Sequence, residues 1–401
     1  MRHVLLTEQW LPRIGGSIQL FDAIYGRHLV AGDHLHVVAG GPPGSESIDA
    51  EYPWPVTRFD DTRYPWMKPE SGAEYARMFA ATLAVCRRER AEVLHCARVI
   101  PEGLVGLAVS RVLKIPYTVW VHGEEVSIFM RYAVKKRLMP EVFRNARAVF
   151  ANSSFTEGRA ALAGAPAERL HVVNPAVDAS AFEGPFDTAE LARRYDLDGK
   201  TVILTVGRLT RRKGHDVALR ALAKLRPTGA LDGVVWLVLS DGELEDELKA
   251  LCTSLGLDDV VRWVGPVAAR ELPVYYAVAD LFLHPNRTLD DDDVEGFGMV
   301  FLEASASGVP VIGGRSGGVI DAVSDGVSGV LVDGTSVEAV ADAIAAMLSD
   351  PARRAQYGAE GRAWARRFSW SYAAARVRAL SSGAASPEEP RDASGEYETA
   401  P

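Results

Sequence analysis

Short apolar runs alternate with longer amphipathic segments almost from end to end of this chain, and that alternation leaves few folds open. In the first half the strand-like runs are Val4–Thr7, His34–Ala39, Val93–His95, Tyr117–Val121, Ala148–Asn152 and Leu170–Asn174. Helical periodicity fills the gaps, as in Glu74–Arg90 and Gly103–Val112. Strands joined by crossover helices imply a parallel sheet covered on both faces. The pattern pauses between Asn174 and Lys200, around Pro175, Gly184 and Pro185. It restarts with Thr201–Val206, Val234–Ser240, Val260–Trp263, Leu281–His284, Pro310–Ile312 and Gly329–Val332. A length of 401 residues exceeds one ordinary core. The expectation is an α/β protein of two consecutive doubly wound domains, hinged near residues 176–198.

Charge and cysteine usage exclude several classes. The net charge of -9 argues against generic nucleic-acid binding, which needs a basic stripe. Three cysteines without CxxC spacing offer neither a disulfide framework nor a zinc site. The opening apolar run is too short for a signal peptide, and no run approaches a membrane span. A cytoplasmic protein is expected. Between Arg131 and Arg147 lie six Lys or Arg and one acid, Glu141. That stretch is read as a solvated helix face, with contact to an anionic inner membrane surface as the other reading.

Four places carry chemistry. Gly15-Gly16 follows the first strand and precedes a helix read over Ile18–Val30. Such a pair lets backbone approach a phosphate at a helix start, or simply makes a tight turn. In Gly207-Arg208-Leu209-Thr210-Arg211-Arg212-Lys213-Gly214, Arg208 and Lys213 flank a loop at a strand's carboxyl end. Two cations there can clamp a departing diphosphate in place of a metal, while Arg211 and Arg212 read as a solvated basic turn. Glu295 precedes a helix that runs to about Ser307, and Glu303 lies about two turns inside it. Carboxylates accept hydrogen bonds from sugar hydroxyls, and free amides at Phe297, Gly298 and Met299 would face what Glu295 holds. His122, with Gly123, ends the strand Tyr117–Val121, where it could bond a hydroxyl or poise a proton; Glu124 and Glu125 are undecided. The run Asp290–Asp293 is read as a solvated loop, so no metal site is assigned and magnesium is not expected.

Together these motifs resemble the retaining glycosyltransferases of family 4, whose GT-B fold has two facing Rossmann-like domains. The resemblance spans about residues 1 to 380 and adds Ser316-Gly317-Gly318 and a closing Phe368/Trp370 helix. It implies domains at 1–185 (acceptor side) and 186–366 (nucleotide-sugar donor). A crossover helix at 367–382 would return to the first domain, followed by a disordered acidic tail at 383–401. It implies that Gly15-Gly16, Arg208 and Lys213 hold the donor diphosphate, Glu295 the sugar hydroxyls and Glu303 the ribose. His122 would lie near the transferred sugar, and Val264-Gly265 would border the base. The reaction would retain anomeric configuration by front-face attack, without a protein nucleophile, in contrast to glycosidases.

Two departures stand out. Ser240-Asp241-Gly242 replaces the usual Gly-Asp-Gly, and the Asp-rich loop before Glu295 is long. That loop is similar to bacterial mannosyltransferases of the phosphatidylinositol mannoside type, which favours GDP-mannose over a UDP-sugar. The acceptor (lipid, glycan or small molecule) is not identified by the sequence, although the Gly- and Pro-rich loop Gly40–Trp66 is expected to shape its site. A non-hydrolysing sugar-nucleotide epimerase lacks its acid/base set here. An inactive GT-B binding subunit fits poorly with intact Arg208, Lys213, Glu295 and Glu303.

Overall fold

The computed structural model describes residues 1–13, 15–41, 44–60, 69–290 and 292–387, apart from the side chains of residues 69–71 and 124. Residues 42–43 and 61–66 of the Gly40–Trp66 loop, Asp291 and the acidic tail beyond residue 387 lie outside the described residues.

The chain divides into two compact units. Residues 1–175 and 370 onward form the first, and residues 176–369 the second. The first sheet contains β1 (Arg2–Thr7), β2 (His34–Gly40), β3 (Val56–Phe59), β4 (Val93–Cys96), β5 (Tyr117–Val121), β6 (Ala148–Ala151) and β7 (Leu170–Val172). Their order is β3-β2-β1-β4-β5-β6-β7, all parallel. The second contains β8 (Thr201–Val206), β9 (Val234–Leu239), β10 (Val261–Gly265), β11 (Leu281–His284), β12 (Val311–Gly314) and β13 (Gly329–Val332). Its order is β10-β9-β8-β11-β12-β13, again parallel. The order in which successive strands are added reverses between β1 and β4 in one sheet and between β8 and β11 in the other. Those reversals open crevices beyond the strands' carboxyl ends.

Three local expectations are corrected. β3 lies within the segment read as a loop: four residues behind Pro53 and Pro55 are too few to show a period. Its Arg58 is fixed by Asp49 and the Gly40 carbonyl. The helix read over 18–30 is an α-helix, Gly16–Phe21, that widens into a π-helical stretch, Asp22–Arg27. His28 closes it, since its backbone N–H donates to the Ala23 carbonyl (3.2 Å) and its Nδ1 to the same oxygen (2.8 Å). The boundary between units falls after Pro175, so residues 176–185 belong with the second unit.

Helix Trp370–Ser382 belongs to the first unit. Its Ala373, Ala374 and Val377 pack in one buried cluster with Trp10, Phe21, Ile24 and Tyr25. Outside that cluster, Arg378 Nε donates to Asp33 Oδ2 (2.6 Å) and Nη2 to Oδ1 (3.1 Å). Asp33 also faces the buried His3 ring, 3.5 Å away. His3 in turn bonds His95 (2.9 Å), and His95 bonds Thr118 (2.8 Å). Burial alone would push the Asp33 carboxyl up, but the Arg378 hydrogen bonds and neighbouring charges hold it well below the usual carboxylate range. A depressed carboxyl contributes stability above its unfolded pKa, and that contribution disappears as pH falls through the folded value. Asp33→Asn is therefore expected to cost about 2 kcal/mol at neutral pH. It should also flatten the acid limb of the stability curve below about pH 4, measured as thermal midpoint against pH.

Candidate functional site

The site in the second unit is assembled where the winding reverses. β8 ends at Val206, and Gly207 follows with φ 148°. A methyl built on Gly207 would lie 3.0 Å from the His284 ring at the end of β11. At the other end of the loop, Gly214 has φ 74°, and a methyl there would stand 2.0 Å from the Pro285 carbonyl oxygen. Only glycine permits both approaches. The loop is thus pinned at both ends onto the carboxyl terminus of β11, and Lys213 is turned inward, 8% exposed.

Lys213 Nζ lies 2.5 Å from Glu295 Oε2. The same oxygen accepts from Asn286 Nδ2 (3.3 Å) and has Arg212 Nε at 3.8 Å. Burial would raise the Glu295 carboxyl, yet the charges of Lys213, Arg212 and Arg208 and the Lys213 hydrogen bond outweigh it and lower its pKa. Arg208 itself is exposed and acts on Glu295 through its charge. Arg211 is exposed and pairs with Glu247, as a solvated turn should. Arg212 departs from that expectation: its side chain is 14% exposed and reaches Asp293 as well as Glu295. Asn286 gives no signal in the sequence, because contact across a strand end and a loop leaves no local spacing pattern.

The Glu295 backbone is cradled too. Gly318 N–H donates to the Glu295 carbonyl (2.9 Å), and a methyl on Gly317 would fall 2.2 Å from that oxygen. This contact is the physical reason for glycines after Ser316. Gly298 caps helix Met299–Ala306 with φ 92°, and the Phe297 ring packs on Phe368 (5.9 Å). Glu303 has a different partner from Glu295. Its Oε2 accepts from the Tyr276 hydroxyl (2.8 Å), and burial raises its pKa against that hydrogen bond.

Val264 and Gly265 end β10, and Ser240 N–H donates to the Gly265 carbonyl (2.7 Å). The Ser240-Asp241-Gly242 turn braces the arginine loop: Leu209 N–H donates to the Asp241 carbonyl (2.8 Å), and a methyl on Gly242 would lie 2.6 Å from Leu209 backbone. Ser240 carries φ 105°, which costs a residue with a Cβ. Ser240→Gly is expected to raise stability by about 1 kcal/mol, read as a higher denaturant midpoint with unchanged slope.

In the first unit Gly15 has an extended φ of 174°, and nothing lies within 4 Å of a methyl built on it. The fold therefore does not require glycine there, unlike Gly207 and Gly214. Gly16 begins the short helix that follows. His122 Nε2 bonds the Ala97 carbonyl (2.9 Å), so that nitrogen carries the proton and Nδ1 carries the lone pair. The ring lies parallel to Trp120 and edge-on to Phe21. Burial, aided by the Arg98 charge, lowers its pKa to about 4. The imidazole is neutral near pH 7, which fits a hydroxyl acceptor better than a poised proton. Glu125 accepts the His122 N–H (2.8 Å) and thereby has a structural role.

Residues 25–181 match the model of Glycosyltransferase Family 4, and residues 187–364 match that of Glycosyl transferases group 1. Over 389 residues the chain is 33% identical to a GDP-mannose-dependent alpha-(1-6)-phosphatidylinositol monomannoside mannosyltransferase of Mycolicibacterium smegmatis, covering 95% of this chain and 98% of that one. The chain is a family 4 glycosyltransferase. It is also 38% identical over 229 residues to D-inositol 3-phosphate glycosyltransferase 1 of Catenulispora acidiphila, over 55% of this glycosyltransferase and 53% of that one. Among solved structures, Anabaena HepE in complex with UDP superimposes with a TM-score of 0.80 at 22% identity, over 96% of this chain and all of that one. Sucrose-phosphate synthase from Thermosynechococcus elongatus gives 0.77 at 21% identity, over 96% and 99% of the two chains. The fold of this glycosyltransferase is GT-B. Among the described residues no helix is long and apolar enough to cross a membrane.

Proposed function

We propose that this glycosyltransferase moves mannose from GDP-mannose to an acceptor hydroxyl with retention of anomeric configuration. The observation that carries the proposal is the Lys213–Glu295 contact at the β8/β11 reversal, ringed by Arg208, Arg212 and Asn286. A nucleotide sugar offers that arrangement both of its complements. The diphosphate takes the cation, and a sugar hydroxyl takes the carboxylate. Glu303, fixed by Tyr276, is suited to accept from the ribose hydroxyls, and Val264-Gly265 to border the base. In the first unit the proposal assigns Gly15-Gly16 backbone to the diphosphate and the His122 lone pair to a sugar hydroxyl.

In this mechanism the bond from the anomeric carbon to the phosphate oxygen breaks first, and Lys213 and Arg208 stabilise the charge left on the diphosphate. The acceptor oxygen bonds to that carbon from the same face, and its proton passes to the departing phosphate oxygen. No side chain is asked to become a nucleophile, and no metal is assigned a step. The identity to a relative named for GDP-mannose supports that donor over a UDP-sugar. The acceptor class stays open among lipids, glycans and small molecules. The proposal keeps the chain in the cytoplasm, and the exposed bases Arg131, Lys136, Arg137 and Arg144 could serve a peripheral contact with anionic lipid.

The test is calorimetry with GDP, UDP and ADP and their common sugar conjugates, with and without magnesium. Preference for GDP and GDP-mannose without added metal supports the proposal. Preference for UDP moves the donor to a UDP-sugar, and binding of none removes the donor site.

A further inference from the structure

His215 and His284 have no role in the chemistry above, yet both are buried at the floor of the Lys213 loop. Their ring centroids are 5.6 Å apart. Neither nitrogen of either ring has a hydrogen-bond partner among the described residues. A neutral imidazole carries one N–H donor and one lone pair, and buried groups of this kind are normally satisfied. Aromatic packing alone does not account for them. His284 lies against the Phe282 and Phe301 rings, at 6.0 and 5.9 Å, where a phenylalanine would pack without buried nitrogens.

The backbone supplies a reason. The point where a Gly207 methyl would stand is 3.6 Å from His284 Nε2 and 3.6 Å from Lys213 Nζ. The missing Cβ at Gly207 therefore leaves the imidazole edge and the ammonium flanking one small space. Burial, followed by the charges of Lys213 and Arg212, keeps His284 uncharged. A neutral lone pair attracts an ammonium without cancelling its charge, which a carboxylate would do.

We propose that His284, backed by His215, is a positioning residue that holds the Lys213 ammonium in place for the donor diphosphate. The proposal rests on the donor-site assignment above. When a diphosphate draws Lys213 away from Glu295, the imidazole keeps the ammonium directed into the loop and its full charge available to the ligand.

The test uses the full chain, calorimetry, and whichever of GDP and UDP the wild type binds, each compared with its monophosphate. His284→Phe should weaken diphosphate binding at least about tenfold and monophosphate binding less than about threefold. His284→Asn, which retains an acceptor, should recover most of the loss. In a Lys213→Ala background His284→Phe should add less than about threefold, because its effect passes through that lysine. A thermal midpoint at or above wild type shows that His284→Phe is folded. Equal loss for both nucleotides, additive losses in the double variant, or wild-type diphosphate binding by His284→Phe each overturns the inference while leaving the donor site intact. If the wild type binds neither diphosphate, the donor site and the inference fall together.

Discussion

Lys213→Ala is expected to weaken GDP binding about a hundredfold and guanosine binding less than about threefold, as measured by calorimetry. The contrast follows from where the ammonium sits. Lys213 is 8% exposed and makes its contact in a region shielded from solvent, where a charge-assisted hydrogen bond keeps its strength. Arg208 is exposed to solvent and to screening by salt, so it cannot replace the lost cation. The substitution leaves Glu295 buried with Arg212 and Asn286 as partners, and its carboxyl pKa should rise. Because the wild-type carboxyl is depressed, the pair stabilises the fold above the ordinary carboxylate range and not below it. Lys213→Ala should therefore be less stable than wild type at pH 7 and closer to it near pH 3. Equal loss of GDP and guanosine would contradict the clamp.

Glu295→Gln separates binding from turnover. Gln has nearly the same shape and can still accept from Asn286, so the fold should survive. It no longer neutralises Lys213, and GDP binding should stay equal or strengthen by a few-fold as the ammonium loses its counter-ion. Turnover, however, should fall at least about tenfold and by as much as about a hundredfold, because the acceptor for the sugar hydroxyls is weakened where charge develops. Steady-state rates with GDP-mannose and the acceptor found by screening would measure this. Full turnover in a folded variant would remove Glu295 from the donor site.

The doubly wound pattern was legible because a strand buried on both faces is mostly apolar, as Tyr117–Val121 and Leu281–His284 are apart from Thr118 and His284. β3 was not, since its four residues are too short for any period and its neighbours Pro53 and Pro55 speak for a loop. The run from Gly207 to Gly214 could be read as a loop at a strand's carboxyl end, while the constraint that β11 places on both of its glycines could not. Glu295 and Lys213 could be named from sequence, while their pairing could not. Arg212, Asn286, Tyr276 and His284 escaped because each acts across elements distant in sequence. A lone histidine ending an apolar strand looks like core until its unpaired nitrogens are found beside an ammonium.

Helix Trp370–Ser382 completes a core whose other members all precede residue 176. During synthesis the first unit therefore leaves the ribosome without Ala373, Ala374 and Val377, and its Asp33 has to wait for Arg378. The intervening unit, residues 176–369, is continuous in sequence and can close as soon as it emerges. Birth order and completion order are thus inverted: the half made first is finished last. A gene fragment encoding only residues 1–175 would yield a unit with an open apolar seam, prone to aggregate, whereas the same fragment co-expressed with the carboxyl-terminal helix peptide has the missing wall to recruit.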